Sequence, residues 1–334
     1  MPGPEPHPVL ETQADIGILT VISPELDAAL KALAPMTREK DEKTGTVFWR
    51  GTVRSQLKKC DYQVVLSCIG EPGNPTAAAA TAELLARWEP RAVFLMGIAA
   101  GMRDKVKIGD VVWSDRIVAY EPAAWAKTAD GEEQTQHRPE VDRIPHAMMQ
   151  DLVSYRLDAT RLKQIFERIE GRFPLVPVGK EEEYAKHVTT SLGAKQATIG
   201  SGEKLLRNAD KIRTLRCDLH GKLEVFEMEA SGFENAARRH NALWLVVRGI
   251  SDFGDELKDD QFHAFASKTA ASVLVDFIAH GLDIGPPRRP PGWIAAERAS
   301  DEWHEETRDV IGQDVRIPRD RLKQQVIESI RDAR

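Results

Sequence analysis

Short apolar runs alternate with amphipathic stretches along most of the chain, and this pattern predicts strands that alternate with helices. Unbroken runs of Val, Ile, Leu and Ala are typical of strands buried on both faces of a parallel sheet. The predicted strands cover residues 15–21, 46–53, 62–68, 92–96, 108–113, 116–119, 198–202, 222–228 and 242–249. The predicted helices cover residues 23–30, 76–88, 145–171, 203–215, 229–240 and 259–282. We therefore expect an α/β three-layer sandwich, with a central mixed, mostly parallel sheet covered by helices on both faces.

Composition changes along the chain predict its division into segments. Residues 1–14 are proline-rich and are expected to be a disordered leader, whereas residues 15–284 carry the strand and helix pattern of one domain. Within this domain, residues 121–190 are more polar and less regular, which predicts an insertion that is either a functional lid or a passive surface helix. Residues 285–334 form a polar tail, in which 319–334 have apolar residues at the spacing of a docking helix.

The bulk composition excludes several classes of protein. Of the 334 residues, 42% are hydrophobic and 29% charged, and no apolar run approaches the ~20 residues that span a bilayer. The formal net charge of -6 is spread over mixed signs without a basic patch, which argues against nucleic-acid and membrane surfaces. The N-terminal residues have no secretory signal pattern, so we expect a cytoplasmic protein.

The sequence supports neither a metal site nor a cofactor. Cys60, Cys68 and Cys217 have no CxxC spacing, and Cys68 lies in an apolar run where a buried reduced thiol is the favoured interpretation. The histidines show no spacing typical of metal ligands. The glycines between Gly97 and Gly101 lack the GxGxxG spacing of a dinucleotide site, so a dehydrogenase is a weak alternative.

Two apolar runs stop abruptly at acidic residues, at 225–230 and at 246–253. In open α/β sheets, ligands bind at the carboxyl ends of the strands, where these acids are expected. Both segments resemble the hallmark motifs of the nucleoside phosphorylase and nucleosidase superfamily, especially its methylthioadenosine/S-adenosylhomocysteine nucleosidase branch. The resemblance spans roughly residues 15 to 283 and implies a phosphorylase/hydrolase-like fold.

The resemblance implies that Asp252, in the Ser251-Asp252 motif, protonates N7 of a purine leaving group. Cleavage of a purine N-glycosidic bond needs such an acid, together with partners for the ribose hydroxyls and an activated water or phosphate. A carboxylic acid donates a proton there only if its pKa is raised, to which burial and the acids Glu227 and Glu229 would contribute. The alternative is that Asp252 caps a turn that runs through Asp255.

The resemblance also implies that Glu229 accepts hydrogen bonds from the 2′ and 3′ hydroxyls while Met228 packs on the sugar. The alternative for Glu229 is a first-turn acid stabilised by the helix macrodipole. That alternative leaves Glu227 unexplained, since a second acid so close requires a partner. Arg248, on the next predicted strand, is the natural partner and is also placed to orient the attacking water.

Glu25 matches, without a gap from Ile16, the glutamate that activates water in the nucleosidase branch. The resemblance therefore implies hydrolysis, although an exposed first-turn acid remains the alternative. A phosphorylase would instead present cationic and hydroxyl groups to phosphate. Ile98 stands where family members usually carry serine or threonine, which disfavours phosphate.

The predicted base pocket departs from the family pattern. It comprises the segment Gly97, Ile98, Ala99 and Ala100 together with Leu205 and Leu206. Ala100 replaces a glycine and Leu205 replaces a phenylalanine that stacks on the purine, while Leu206 still offers its backbone to the base edge. The insertion adds the arginines Arg138, Arg143, Arg156 and Arg161, which are unexpected beside a purely apolar 5′ pocket.

We therefore predict an N-glycosidase that hydrolyses purine nucleosides or nucleotides. One alternative is a nucleotide-sensing regulatory or defence effector module with conditional nucleosidase activity, since phosphorylase-like domains also occur in bacterial defence systems. A second alternative is a phosphate-dependent purine nucleoside phosphorylase. The resemblance also implies a homo-oligomer, a dimer or larger, with active sites near an interface.

Overall fold

The computed structural model describes residues 13–128, 130–155, 158–169, 182, 186–255 and 260–287. The terminal helix predicted over 319–334 and most of the predicted leader over 1–14 lie outside these residues and stay predictions.

Within the described residues, a ten-stranded sheet forms the centre of the molecule, in the order β11-β10-β6-β12-β5-β1-β4-β3-β2 with β9 paired to β6. Its strands are β1 (Ile16–Thr20), β2 (Thr37–Lys40), β3 (Val47–Ser55), β4 (Cys60–Cys68), β5 (Ala92–Gly101), β6 (Val111–Ala119), β9 (Glu140–Arg143), β10 (Ala194–Ser201), β11 (Leu223–Glu227) and β12 (Leu243–Asp252). A separate two-stranded hairpin consists of β7 (Ala123–Lys127) and β8 (Glu133–His137).

The sheet is mixed, with parallel pairs around β1 and β5 and also between β10 and its neighbours β6 and β11. Strand β1 pairs in parallel with β4 and β5, and β12 pairs in parallel with β5. The end of β5 also pairs antiparallel with β11, and β12 pairs antiparallel with β6. Because β10 joins β6 to β11, these pairings close part of the sheet into a circuit. The carboxyl ends of β5, β11 and β12 therefore meet at one place.

Helices cover the sheet on both sides, which confirms the predicted fold class. They are α1 (Ser23–Leu33), α2 (Asn74–Trp88), α3 (His146–Ser154), α4 (Ala159–Arg168), α5 (Ala209–Asp218), α6 (Ala230–Arg239) and α7 (His263–His280). Helix α2 packs against α6, and α1 packs against α7, which also lies on β5 and β12. Among the described residues, no helix combines the length and the apolarity that crossing a membrane requires.

Several predicted boundaries are wrong for identifiable reasons. The helix predicted over 145–171 is two helices, because α3 ends at Ser154 and the Asp158 side chain caps α4 by accepting from the Arg161 amide at 2.8 Å. The helix predicted over 203–215 begins only at Ala209. Its start is fixed by the Asn208 side chain, which accepts from the Lys211 amide at 2.9 Å.

The strand predicted over 92–96 continues to Gly101, because its last residues pair with both β11 and β12. The two strands predicted over 108–119 are the single strand β6 with a register shift in its pairing to β10. The strand predicted over 242–249 reaches Asp252. Asp252 is therefore the last residue of a strand, and Arg248 lies within it.

Cys68 is less buried than its apolar surroundings predict. Its thiol is half-buried and donates to the Val21 carbonyl oxygen at 3.4 Å. Cys60, Cys68 and Cys217 are all free thiols.

Candidate active site

The register of the central strands places the predicted site residues at one edge of the sheet. Arg248 of β12 lies opposite Gly97 of β5, and Asp252 lies opposite Ala100. Ala100 also pairs with Phe226 of β11, the residue before Glu227. Side chains from three strands therefore converge on the end of β5.

Arg248 is the centre of a buried charge cluster. Its side chain is fully buried, and its Nη2 donates to Glu227 Oε2 and to Glu229 Oε2, the latter at 3.0 Å. Burial lowers the pKa of Arg248, but the carboxylates of Glu227, Glu229 and Glu25 outweigh this effect and raise it. The guanidinium is therefore charged, as a buried ion must be paired to be tolerated.

Glu25, from the first turn of α1, faces the same guanidinium. Its carboxylate accepts from the amides of Val21 at 2.6 Å, Ile22 at 3.2 Å and Ile98 at 2.9 Å. Only 2% of the residue is exposed, which contradicts the alternative of an exposed first-turn acid. Burial raises the pKa of Glu25, while Arg248 and the three amides lower it less strongly.

Gly97 leaves the space in which Glu25 and Arg248 approach each other. A Cβ atom at this position would lie 2.3 Å from both Glu25 Oε1 and Arg248 Nη1. Among the described residues, Arg248 Nη1 and Nε are buried without a hydrogen-bond partner. The Nη1 donor and the Glu25 carboxylate therefore lie side by side against the backbone of β5.

Glu227 and Glu229 have different surroundings although they are two residues apart. Glu227 lies two residues before Glu229, the N-cap of helix α6, and its carboxylate accepts from the free amides of Glu229 at 3.1 Å and Ala230 at 2.9 Å. Glu229 is 6% exposed, and its Oε1 accepts from the Gly73 amide at 3.3 Å. Burial, with the charges of Glu227 and Glu25, raises the pKa of Glu229 to about 7 against the lowering effect of Arg248.

The Glu229 side chain thus contacts a guanidinium and a loop amide in addition to starting a helix, so the macrodipole alone does not account for its position. Met228, between the two acids, is half-buried.

Asp252 is 4% exposed and is held by its own neighbours. Its Oδ2 accepts from Ser251 Oγ at 2.8 Å, and its Oδ1 accepts from the Gly254 amide at 2.8 Å. The turn is fixed further by Arg103, which pairs with Asp255 at 2.6 Å and lies 4.5 Å over the Phe253 ring. Asp252 therefore does cap this turn, and its carboxyl group also lies at the site edge of β12.

The predicted base pocket is only partly assembled by the structure. A Cβ atom on Gly254 would lie 3.2 Å from Ala100 Cβ and 3.6 Å from Leu206 Cβ, so these residues meet beside Asp252. Ala99 is buried, and Ile98 gives its amide to Glu25. Leu205 is 55% exposed and is not brought into this group.

The insertion arginines that the structure describes are not gathered at the carboxylate cluster. Arg138 and Arg143 are exposed, and Arg161 pairs with Asp276 of α7 at 2.7 Å. Arg156 lies outside the described residues. Within the described ranges, no group of three or more His, Cys, Asp and Glu side chains is arranged to hold a metal ion.

Sequence reasoning missed the contact of the 69–75 loop with Glu229. The glycines and prolines of this loop predicted only a break between a strand and a helix, and nothing in their pattern indicated that the Gly73 amide donates to Glu229.

Comparison with known proteins gives the family. A model of the phosphorylase superfamily matches residues 15–279. ATP nucleosidase Cap17 of Escherichia coli is 35% identical over 268 residues, which are 79% of this chain but 51% of that protein. The chain thus spans about half the length of this curated relative. A 5′-methylthioadenosine/S-adenosylhomocysteine nucleosidase of Haemophilus influenzae (strain PittGG) is 25% identical over 79% of this chain and 98% of its own length.

Solved structures show the same fold at lower identity. The S-adenosylhomocysteine nucleosidase of Streptococcus pyogenes superposes with a TM-score of 0.57 at 21% identity, covering 80% of this chain and 97% of that chain. Futalosine hydrolase of Helicobacter pylori strain 26695 gives a TM-score of 0.54 at 16% identity, with coverage of 80% and 97%. The family model covers residues 15–279, most of the chain, and the chain is therefore a member of the phosphorylase superfamily.

Proposed function

We propose that this chain hydrolyses the N-glycosidic bond of purine nucleosides or nucleotides. The observation that carries the proposal is the convergence of Glu25, Glu229 and Arg248 on Gly97, with Asp252 at the end of the strand that holds Arg248. These groups are a base, a hydroxyl acceptor, a cation and an acid, and they include the general base and the general acid that hydrolysis of a glycosidic bond by direct attack of water uses.

Glu229 is proposed to hold the ribose. In its ionised form the carboxylate accepts hydrogen bonds from neighbouring 2′ and 3′ hydroxyls, and such charge-assisted bonds are stronger than neutral ones. The Gly73 amide and Arg248 Nη2 each hold one of its two oxygens, so its orientation is fixed before substrate binds. Half-buried Met228 is proposed to pack on the sugar.

Glu25 is proposed to activate water. Three backbone amides fix its carboxylate beside Arg248 Nη1, a buried donor without a partner among the described residues. A water that accepts from Nη1 and donates to Glu25 would be positioned to attack, and Glu25 would take its proton. Burial raises the pKa of Glu25, which makes its carboxylate a stronger base for this proton than an exposed glutamate.

Asp252 is proposed to protonate the leaving purine at N7. It lies four residues beyond Arg248 in β12, next to Ala100 in the register of β5. The sugar develops positive charge as the bond to the base breaks, and the nearby carboxylates of Glu25 and Glu229 stabilise that charge.

The charge of the cluster argues against a phosphate nucleophile. Three carboxylates, of Glu25, Glu227 and Glu229, surround the single guanidinium of Arg248. A phosphate anion would be repelled by this excess of negative charge, and Ile98 offers it no hydroxyl. A phosphorylase therefore remains only as an outcome that the test must distinguish.

The likeness to ATP nucleosidase Cap17 favours a nucleotide, with ATP as the first substrate to test. The alternative named in the sequence analysis, an effector module whose nucleosidase activity appears only after activation, is the second candidate. Activity that requires an added activator would identify that case.

The test is release of free base from ATP, AMP, adenosine, methylthioadenosine and S-adenosylhomocysteine, with and without phosphate. We expect release without phosphate, reduced by about 10²–10⁴-fold in Asp252→Asn because the acid is lost. Asp210→Asn, at an exposed helix position, is the matched control and should retain activity. A folded protein that releases no base from any of these compounds would contradict the proposal.

A further inference from the structure

Asn74, the first residue of α2, uses the full hydrogen-bonding capacity of its side chain. Its Oδ1 accepts from Ser201 Oγ at 3.0 Å and from the Gly232 amide at 2.9 Å. Its Nδ2 donates to Glu203 Oε1 at 2.9 Å and to the Gly202 carbonyl oxygen at 3.4 Å. A side-chain amide has two acceptor positions and two donor hydrogens, so Asn74 suits these four groups better than an acid or an alcohol.

These bonds join three elements that surround the carboxylate cluster. Ser201 ends β10, Gly232 lies in the first turn of α6, and Asn74 begins α2. A Cβ atom on Gly232 would lie 1.9 Å from the Asn74 carbonyl oxygen, so a glycine is required for this approach of the two helices. Ser201 Oγ also accepts from the Ser231 amide at 3.1 Å, which ties the start of α6 to the same point.

The residue before Asn74 contacts Glu229 directly. Gly73 is buried, has a φ of 121°, and donates its amide to Glu229 Oε1 at 3.3 Å. Glu229 Oε2 accepts from Arg248 Nη2 at 3.0 Å. The hydrogen bonds of the Asn74 side chain therefore fix the position of the neighbouring Gly73 amide. This amide donates to one of the two carboxylate oxygens of Glu229.

We propose that Asn74 is a positioning residue for Glu229, and that it determines how strongly the site discriminates ribose from deoxyribose. This inference rests on the proposed function, in which Glu229 accepts from the ribose hydroxyls. With Asn74 in place, the carboxylate presents its free lone pairs in one orientation. Without it, the Gly73 amide moves away and the carboxylate turns about its Cγ–Cδ bond.

A merely structural role for Asn74 makes a different prediction. General loosening of the domain would weaken the binding of ribose and 2′-deoxyribose ligands to the same extent. Loss of the Glu229 orientation instead weakens the ribose ligand more than the 2′-deoxyribose ligand, because the first donates two hydroxyls to the carboxylate and the second donates only the 3′ hydroxyl. The ratio of the two affinities therefore separates the two roles.

The experiment measures dissociation constants of ATP and 2′-deoxyadenosine triphosphate by calorimetry, with Asp252→Asn as the non-hydrolysing background. We expect Asn74→Ala to reduce the preference for ATP by at least about 10-fold, the worth of one hydrogen bond to a charged group. Asn74→Asp keeps the acceptor for Ser201 and Gly232 but cannot donate to Glu203, so it should restore the preference only in part. Asp158→Ala, which removes the cap of α4, is the control for general destabilisation and should leave the preference unchanged.

An unchanged preference in Asn74→Ala, with the protein still folded, would overturn the inference, as would equal affinity of the parent protein for the two ligands. Failure of the proposed function gives a different result. The wild-type protein would then release no base from ATP, whereas Asn74→Ala would still change the ratio of the ATP and 2′-deoxyadenosine triphosphate affinities.

Discussion

At the scale of single residues, the site depends on one buried guanidinium shared by three carboxylates. Arg248 contacts Glu227 and Glu229 and faces Glu25, so the cluster carries more negative than positive charge when all its acids are ionised. Burial and mutual repulsion raise the pKa of Glu229 to about 7 and raise that of Glu25. The cluster therefore gains or loses a proton near neutral pH.

Glu229 predicts a pH dependence of substrate binding. Below pH 7 its carboxyl group is mostly protonated and accepts only weakly from the ribose hydroxyls, whereas above pH 7 it is ionised. We expect KM for a purine ribonucleotide to fall as the pH rises from 6 to 8. In Glu229→Gln, KM should be at least about tenfold higher and independent of pH in this range, since a charge-assisted bond is replaced by a neutral one.

Steady-state kinetics of wild type and Glu229→Gln across this pH range check the prediction, with Glu132→Gln, an exposed glutamate outside the site, as the control. A KM profile for Glu229→Gln that matches that of the wild type would show that Glu229 does not hold the sugar.

A side chain at Gly97 is predicted to push apart two members of the same cluster. The added Cβ of Gly97→Ala would lie 2.3 Å from Glu25 Oε1 and Arg248 Nη1, so these two groups must separate. We expect kcat to fall by about 10²-fold, because misplacement of a reacting group by about 1 Å has an effect of this size. Gly221→Ala is the matched control, since its Cβ would meet no atom within 4 Å.

Kinetic assays and thermal unfolding of Gly97→Ala and Gly221→Ala test whether the loss of activity is specific to the cluster. Full activity in Gly97→Ala would show that the close approach of Glu25 and Arg248 is not needed.

At the scale of elements, the sequence predicted the buried strands and missed the exposed ones. Strands β1, β5 and β12 are continuous apolar runs with both faces buried, so their composition alone indicates them. Strands β2 and β8 consist of polar and charged residues that are mostly exposed, and neither has an apolar face to reveal it. The segment 203–208 is not helical, because its side chains bond to distant residues. Glu203 accepts a hydrogen bond from Asn74, and Lys204 donates one to Glu121.

The two helices of the insertion are anchored to α7 by one acid. Asp276 accepts from Tyr155 Oη, at the end of α3, and from Arg161 Nε, on α4, at 2.7 Å. We expect Asp276→Ala to lower the free energy of unfolding by about 3 kcal/mol, since it leaves two largely buried donors without their acceptor.

The matched variant Tyr155→Phe removes one of these bonds and keeps the ring, so it should lower the free energy by only about 1 kcal/mol. Urea unfolding of the two variants measures both values. Equal and small losses would mean that packing, and not Asp276, holds the insertion on α7.

At the scale of the whole molecule, the closed circuit of strands gathers residues that are far apart in the chain. Glu25, Gly97 and Arg248 come from α1, β5 and β12, and they meet because β5 pairs with β12 on one side and on the other side with β1, the strand that precedes α1. Resemblance to a family singled out Glu25 and Gly97 from the sequence, and the need of Glu227 for a charge partner singled out Arg248. The sequence did not show that the strand of Arg248 continues to Asp252, nor that Glu227 accepts from the first amides of α6, because pairing register and side-chain contacts depend on the folded chain.

The contribution of Gly73 and Asn74 illustrates the same limit. A glycine before a helix predicts a turn, and an asparagine at its first position predicts a local cap. The structure instead directs the Asn74 side chain to β10 and α6. No local pattern indicates such a contact, since it exists only when the sheet order brings α2 and α6 together.

The central claim is that water, and not phosphate, attacks the sugar at the site formed by Glu25, Glu229 and Arg248. It is tested most directly by turnover of ATP in ¹⁸O-labelled water that also contains phosphate, with mass spectrometry of the sugar product. We expect free adenine and a ribose triphosphate that carries ¹⁸O at its anomeric carbon, and neither product from Glu25→Gln. A sugar with phosphate at that carbon, or turnover that survives in Glu25→Gln, would contradict the account.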